Sequence, residues 1–533
     1  MAIILAPCTG IKASGTQLFV TSQRCFACHN NLSTSDGEDI SIASQWRAAI
    51  MAHSAKDPYW LASVRRETLD HPSAASHIED ECATCHMPMM RYAEHADGGK
   101  GRVFAHLPLP SEQVPLGAEG PVPASHLAAE GVSCSLCHQI EEEGLGTPAS
   151  FTAGFSIDEE LPLGERRIHG PYDVEEGLKK IMQSASGFTP EQTSHLQSSA
   201  LCGSCHTLFT NTLDSEGTII GQLPEQVPFL EWKHSDYLDL EPCQSCHMPT
   251  VHEPTAISSV LGEPREAFSR HSFRGGNFFM LSILAKHADE LGVTAPVAEL
   301  EASMTRTRDH LQTMAASIGI DELQLEGEQL KARVVLSNYA GHKLPTAYPS
   351  RRAWIHFVVR DADGTVVFES GRLRDNGSIA GNDNDEDPIA YEEHYEVVSE
   401  ESQVQIYEGI LATPDGRVTT GLLEAIRYIK DNRLLPDGFD KATASTDISV
   451  KGLADEDTNF EGGFDAVTYA VAIRSAKRPL TVEAELLYQP IGFRWARNLE
   501  DYEADEPDRF TRLYRENAGN SAIRLADTSA TTD

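Results

Sequence analysis

The chain has 533 residues, of which 43 are basic and 80 acidic, giving a net charge of −37. That balance argues against nucleic acid and bare anionic membranes as partners, because phosphate binding needs a basic footprint. It favours partners with basic docking patches. The length suggests about two to four domains, and a hydrophobic content of 40% is enough to bury cores.

The N-terminal stretch Met1 to Pro7 is short and apolar, with no Lys or Arg before it. It is a poor match to a signal peptide. Leu5-Ala6-Pro7-Cys8 distantly resembles a lipoprotein cleavage site, which would make Cys8 a lipid anchor. No run reaches the roughly 18 apolar residues of a spanning helix, so no transmembrane span is expected.

From Cys25 onward one frame repeats. Cys-x-x-Cys-His occurs at Cys25, Cys28 and His29; at Cys82, Cys85 and His86; at Cys134, Cys137 and His138; at Cys202, Cys205 and His206; and at Cys243, Cys246 and His247. This spacing is that of covalent c-type haem attachment. The two thiols form thioethers and the adjacent His offers a proximal nitrogen to iron. Five pairs use ten of the eleven cysteines. Cys8, with no partner and no following His, is expected to take no haem. Zinc half-sites need no His after the second Cys, and an odd number would leave one unpaired. Five covalently bound haems are therefore expected. Bacteria attach such haem outside the cytoplasm, so the periplasm or cell surface is the expected location.

Successive first cysteines are 57, 52, 68 and 41 residues apart, too uneven for a solenoid. Residues 1–255 are read as a five-haem domain, mostly irregular and helical, with the porphyrins as its core. Gly98 to Pro123 reads as an extended loop. Residues 256–320 are read as a helical segment supplying a distal ligand, from the apolar periodicity of Asn277–Leu291 and Val297–Ser317. Pro296 stands where a helix start tolerates it. Residues 321–533 are read as an acidic β-sandwich-like domain with strands at Lys331–Asn338, Ala353–Arg360, Thr365–Ser370, Gln403–Leu411, Ala466–Ile473 and Leu480–Tyr488. Between Ile379 and Ser402 there are nine acidic residues and no Lys or Arg. That stretch reads as a solvated loop. Its run Asn382–Asp387 lacks the EF-hand spacing and is not expected to hold calcium. The small, polar tail after Ala518 reads as disordered. The fold class expected is α+β.

The sixth position of each iron decides between electron carrier and catalyst. Sixteen of the 21 His lie outside the motifs. The candidates for distal ligands are His53, in a segment rich in small residues, and His126 and His195, eight and seven residues before a motif. His271, before Gly275-Gly276, and His342, at a turn between strands, complete the set. His77, His169, His234 and His252 are weaker candidates, and His287, His310, His356 and His394 read as structural. Met87 and Met248 point away from the iron of their own motif and read as packing residues.

The stretches GVSCSLCHQI (131–140), ALCGSCHTL (200–208), PEQVPFLEWKHSDY (224–237), PCQSCHMP (242–249), HSFRGGN (271–277) and GHKLPTAYPSRRAWI (341–355) resemble the exported multihaem c-type cytochromes. That group includes the tetrahaem electron carrier of nitrifiers and the haem-rich nitrite and hydroxylamine enzymes. The resemblance covers roughly residues 20–360. It implies that His271 and His342 sit on iron and that the chain serves respiratory electron transfer. Two other readings stand beside it. One is an oxidoreductase of a nitrogen or sulfur oxyanion with one open haem, for which Lys343, Arg351 and Arg352 would be a basic lining; read by themselves they are a solvated basic turn. The other is a subunit of a haem filament, a homopolymer in which the next chain supplies a distal His.

Overall fold

The computed structural model describes residues 17–115, 120–474 and 476–532; Cys8 and the stretch before it lie outside them. Helices and sheets are mixed, so the fold is α+β, as expected. In the first half, five short helical segments carry the motifs: Gln23–Phe26, Ala75–His86, Cys134–Cys137, Ser199–Gly203 and Cys243–His247. One helical turn sets the two cysteines, three residues apart, on the same side. Residues 98–115 and 120–123 contain only one short turn of helix, Phe104–His106.

Helix α1 (Pro58–Asp70) begins well: Asp57 accepts from the amides of Tyr59 and Trp60, and Pro58 occupies the first turn. It then reaches into the second half of the chain. Arg65 grips Glu506 with two hydrogen bonds of 2.7 and 3.0 Å, and Arg66 donates to Thr420 at 2.7 Å. Glu67 accepts the Leu422 amide at 2.8 Å. Tyr59 packs on Phe510 of α6 (Asp505–Asn517) with ring centres 5.0 Å apart. Helix α2 (Ala75–His86) carries the second motif, and α3 (Pro228–Lys233) follows a hairpin of β1 (Leu208–Leu213) and β2 (Ile219–Gln226).

The expected helical segment forms α4 (Phe278–Lys286), capped by Asn277, and α5 (Val297–Met314). The chain passes from α5 straight into a strand not foreseen, β3 (Ala316–Glu326), so the helix ends three residues short of Ser317. One sheet runs β7 (Val397–Val398), β12 (Phe464–Ala472), β4 (Gln329–Asn338), β3. The other runs β6 (Val366–Ser370), β5 (Arg352–Arg360), β13 (Leu480–Gln489), β14 (Ile523–Thr532), with β8 (Ile406–Tyr407) also on β5. Burial alternates along β4 and β13 as the two-residue period requires. Phe357 of β5 stacks on Tyr469 of β12 at 3.8 Å, joining the two sheets. The expected strand Gln403–Leu411 divides between β8 and a third sheet, β10 (Val418–Thr419), β9 (Gly409–Ala412), β11 (Arg427–Asp431).

Two expectations are corrected. The tail after Ala518 is not disordered, because β14 pairs with β13 from Leu480↔Thr532 to Tyr488↔Ile523. The acidic stretch 379–402 is not a solvated loop, since Ile379, Asn382, Asp385, Glu392 and His394 are buried. The reason is hydrogen bonding and charge pairing from a distant strand and a distant helix. Arg352 holds Asp385 with bonds of 2.7 and 2.9 Å, the Ile379 amide adds one of 2.7 Å, and Arg494 donates to the carbonyls of Asn384 and Asp385. These arginines occupy both carboxylate oxygens of Asp385 and the carbonyls of Asn384 and Asp385.

Asp385→Ala should cost about 3–5 kcal/mol in denaturant unfolding, because it strands the buried Arg352 charge. A calcium chelator should leave the unfolding midpoint unchanged; a drop on chelation would place a cation there instead. A second expectation concerns pH. Glu225 of β2 is buried, accepts the Thr210 hydroxyl, and burial pushes its pKa up to about 7. The folded chain therefore holds this proton more tightly than the unfolded one. The stabilisation is full below the ordinary carboxylate pKa and is lost as pH rises through about 7. Glu225→Gln should flatten the stability profile between about pH 5 and pH 8 and gain about 2–3 kcal/mol at the upper end.

Candidate metal centres

Four of the five motif imidazoles are held the same way. The Nδ1 of His29 faces the Ile257 carbonyl at 2.6 Å, that of His86 the Ser54 carbonyl at 2.9 Å, that of His138 the His169 carbonyl at 2.7 Å and that of His247 the Arg274 carbonyl at 2.5 Å. A carbonyl only accepts, so Nδ1 carries the proton and Nε2 keeps its lone pair for a metal. Burial lowers the pKa of all four, and of His86 and His247 to about 4, which keeps them neutral. Trp60 stacks on His86 with ring centres 4.4 Å apart and planes 1° from parallel. Enclosure first, and then the nearby Arg351 and His342, lower the pKa of His206. Met87 is fully buried and joins Met89 and Met90 in an apolar cluster.

Two non-motif imidazoles stand opposite motif imidazoles. His271 lies 6.3 Å from His138, ring centre to ring centre, with planes 11° apart. His342 lies 6.2 Å from His247 with planes 16° apart. Two imidazoles on one metal, each bonded at about 2 Å, place their ring centres roughly 6 Å apart. Both also have Nδ1 against a carbonyl, of Ser269 at 3.1 Å and of Lys343 at 2.9 Å, leaving Nε2 free. The residues therefore fit haem iron.

The other three expected ligands are placed less directly. His53 has its Nε2 at 2.9 Å from the Arg47 carbonyl, His195 its Nε2 at 2.8 Å from the Ile140 carbonyl, and His126 lies on the helix Ala124–Ala129. Each has a buried Nδ1 with no hydrogen-bond partner. Leaving such an atom unpaired costs about 1–3 kcal/mol, so these nitrogens too fit a ligand. Two further imidazoles have unpartnered buried ring nitrogens. His169 has no hydrogen bond to either ring nitrogen, although its Nε2 is 3.6 Å from a Glu141 carboxylate oxygen, and its ring centre lies 5.0 Å from that of His195. His310 of α5 lies 6.1 Å from His247 with an unpartnered Nδ1. His169 lies on the short strand Arg167–Gly170 and His310 on α5, and a lone His on either carries no local signature of a metal. His77 pairs with Glu81, and the Nε2 of His234 faces the Asp440 carbonyl.

The loop holding His342 is fixed by a buried set of charges. Glu231 of α3 accepts the Lys343 amide at 3.1 Å and the Thr346 hydroxyl at 2.5 Å, and pairs with Arg433 at 3.1 Å. Asp431 of β11 takes Lys343 Nζ at 2.7 Å and Arg433 at 2.8 Å. Asn338 donates to the His342 carbonyl at 2.9 Å. Lys343 is thus paired with Asp431, and Arg352 with Asp385. Of the three basic residues proposed to line an open iron, only Arg351 has no carboxylate partner among the described residues.

His394, Asp457 and Asp465 cluster like metal ligands, with ligand atoms within 4.8 Å of one another. The tautomer rules this out. The Gln405 Oε1 accepts the Tyr395 amide, and the Asn432 Oδ1 accepts the Glu408 amide. Their amino groups must therefore donate to His394 Nδ1, at 2.8 and 3.1 Å. The ring proton then sits on Nε2, directed at Asp457 3.1 Å away. His394 is structural, as expected.

The motifs touch one another. The Cys134 thiol neighbours that of Cys25, Cys85 neighbours Cys205 and Cys202 neighbours Cys243, while Cys137 lies close to Cys205. The first motif therefore adjoins the third, and the fourth adjoins the second, third and fifth.

No family model matches the chain, and no curated protein does. Among solved structures it is similar to the penta-haem cytochrome c552 of Thermochromatium tepidum, with 16% identity, 96% of this chain and 99% of that one covered, and a TM-score of 0.53. The likeness is one of fold, and it runs through both the motif-bearing half and the β-sandwich.

Proposed function

We propose that the protein is an extracytoplasmic five-haem c-type cytochrome that carries electrons along a chain of mostly bis-histidine haems in respiration. The imidazole pairs His138/His271 and His247/His342 carry this reading, because each combines the separation of two axial ligands with an Nδ1 already held by a carbonyl. Haem, when bound, supplies a one-electron iron couple whose potential is set by axial ligands and burial. The chain's residues do the rest. Cys25, Cys28, Cys82, Cys85, Cys134, Cys137, Cys202, Cys205, Cys243 and Cys246 would anchor the macrocycles. His29, His86, His138, His206 and His247 would face the irons, with His271 and His342 opposite two of them and His53, His126 and His195 as ligands to the others. Contact between motifs keeps the redox centres close in space. The catalytic reading retains one supporting observation, the unpaired Arg351 beside His206; a high-spin ferric signal in the wild type would favour it.

Mass spectrometry of protein matured with haem-ligation machinery should show five haem additions; four at full occupancy would refute the number. His271→Ala and His342→Ala should keep five haems while each converts one low-spin signal to high-spin and creates carbon monoxide affinity in the ferrous state. Wild-type spectra in both variants would remove both residues from iron. Glu231→Ala should cost about 3–5 kcal/mol, since it leaves Arg433 buried without one of its partners. It should also raise the high-spin fraction at the same iron that His342→Ala opens. An unchanged spin state would mean that Glu231 supports the fold without positioning His342.

A further inference from the structure

The fifth motif is an end of the motif chain. By their thiols the fourth motif neighbours three others, whereas among the described residues the first, second and fifth each neighbour one. The residues between the cysteines are buried in the second, third and fourth motifs: Ala83 and Thr84, Ser135 and Leu136, Gly203 and Ser204. In the fifth, Ser245 is partly exposed, and in the first Ala27 is exposed, so these two ends lie near the surface. An end of a redox chain near the surface is where a partner has to come.

The turn just before this motif has the surface a partner needs. Leu240 is 74% exposed and Leu238 40%. Asp236, Asp239 and Glu241 alternate with them and are exposed. The turn is braced rather than loose. The amides of Leu240 and Glu241 donate to the Tyr237 carbonyl at 3.1 and 3.0 Å, and Trp232 Nε1 donates to the Glu241 carbonyl at 2.9 Å. Tyr237 hydroxyl donates to the carbonyl of Tyr339, itself 52% exposed, at 3.0 Å. The acidic rim continues on the second half of the chain. The Asp236 amide donates to the Asp437 carbonyl at 3.0 Å, and His234 contacts the Asp440 carbonyl. Two exposed leucines inside a ring of carboxylates form a small apolar contact with a negative border. Apolar centre and charged rim is the anatomy of a transient protein interface.

We propose that the turn 236–241, with Tyr339, is the docking face for a basic redox protein, a small electron carrier whose own apolar contact is ringed by lysines and arginines. The proposal rests on the electron-transfer reading above and names its partner surface. Rim charges set the encounter rate and its salt dependence, and the leucines set how long the complex lasts.

The test uses the haem-loaded protein and a basic monohaem cytochrome c as probe, with binding measured by calorimetry at low and moderate ionic strength. Asp239→Lys with Glu241→Lys should weaken binding by about tenfold or more and reduce its salt dependence. Leu238→Ser with Leu240→Ser should weaken it several-fold at unchanged salt dependence. Reversing the same number of charges on the β3–β4 hairpin, with Glu322→Lys and Glu328→Lys, should change it by less than about twofold. Equal losses from turn and hairpin would overturn the proposal, since net charge alone would then explain binding. Unchanged binding in the turn variants would overturn it as well. Reduction of the same samples by dithionite, followed optically, tests the electron-transfer reading separately. Failure there would refute that reading whatever the calorimetry shows.

Discussion

A hydrogen bond between a motif imidazole and a carbonyl from elsewhere in the chain is the constraint on which the rest depends. An imidazole offers a metal one nitrogen, and which one is set by where its proton is held. His29 and Ile257 are 228 residues apart in sequence, and His247 and Arg274 are 27 apart. The attachment motifs therefore cannot be finished locally. Ser54, His169, Ile257 and Arg274 must each arrive with the backbone oriented towards a ring, and the irregular segments of the first half are shaped by that demand. Their scarcity of regular structure is the form a chain takes when its carbonyls serve side chains instead of sheets.

The two halves meet through buried charge. Glu231, Lys343, Asp431 and Arg433 contribute two charges of each sign, enclosed together between α3, the His342 loop and β11. Such a set gains little net stability over apolar residues of similar size, but each member is costly to leave alone. It therefore specifies one arrangement of the halves. α1 adds a second joint of the same kind, with Arg65 on Glu506 and Glu67 on the Leu422 amide.

What could be read in the sequence follows from how local each requirement is. Haem attachment demands a fixed spacing within five residues, so all ten cysteines were legible. The strands β4, β5, β12 and β13 were legible because alternation is a property of neighbours. The stretch 379–402 was misread because its neutralising arginines, Arg352 and Arg494, lie on distant elements and its composition alone resembles solvent-facing chain. The tail was misread because β14 is held by backbone pairing with β13, to which its small side chains are indifferent. The candidates His271 and His342 came from a resemblance and their glycine-rich or turn settings, and the fold sets them opposite His138 and His247. His169 and His310, on ordinary elements, had nothing in their neighbours to mark them.

The pairing of thiols across motifs bears on how the molecule is made. Cys25 meets Cys134, Cys85 meets Cys205 and Cys202 meets Cys243, each pair drawn from different motifs. In an oxidising compartment a folded chain without haem would hold three couples of cysteines ready to oxidise to the wrong partners. Each cross-link would consume sulfurs from two motifs at once. On the five-haem reading proposed above, thioether formation would have to precede tertiary closure, and the macrocycles would become part of the folding reaction itself, in the way that a structural metal does for a small domain.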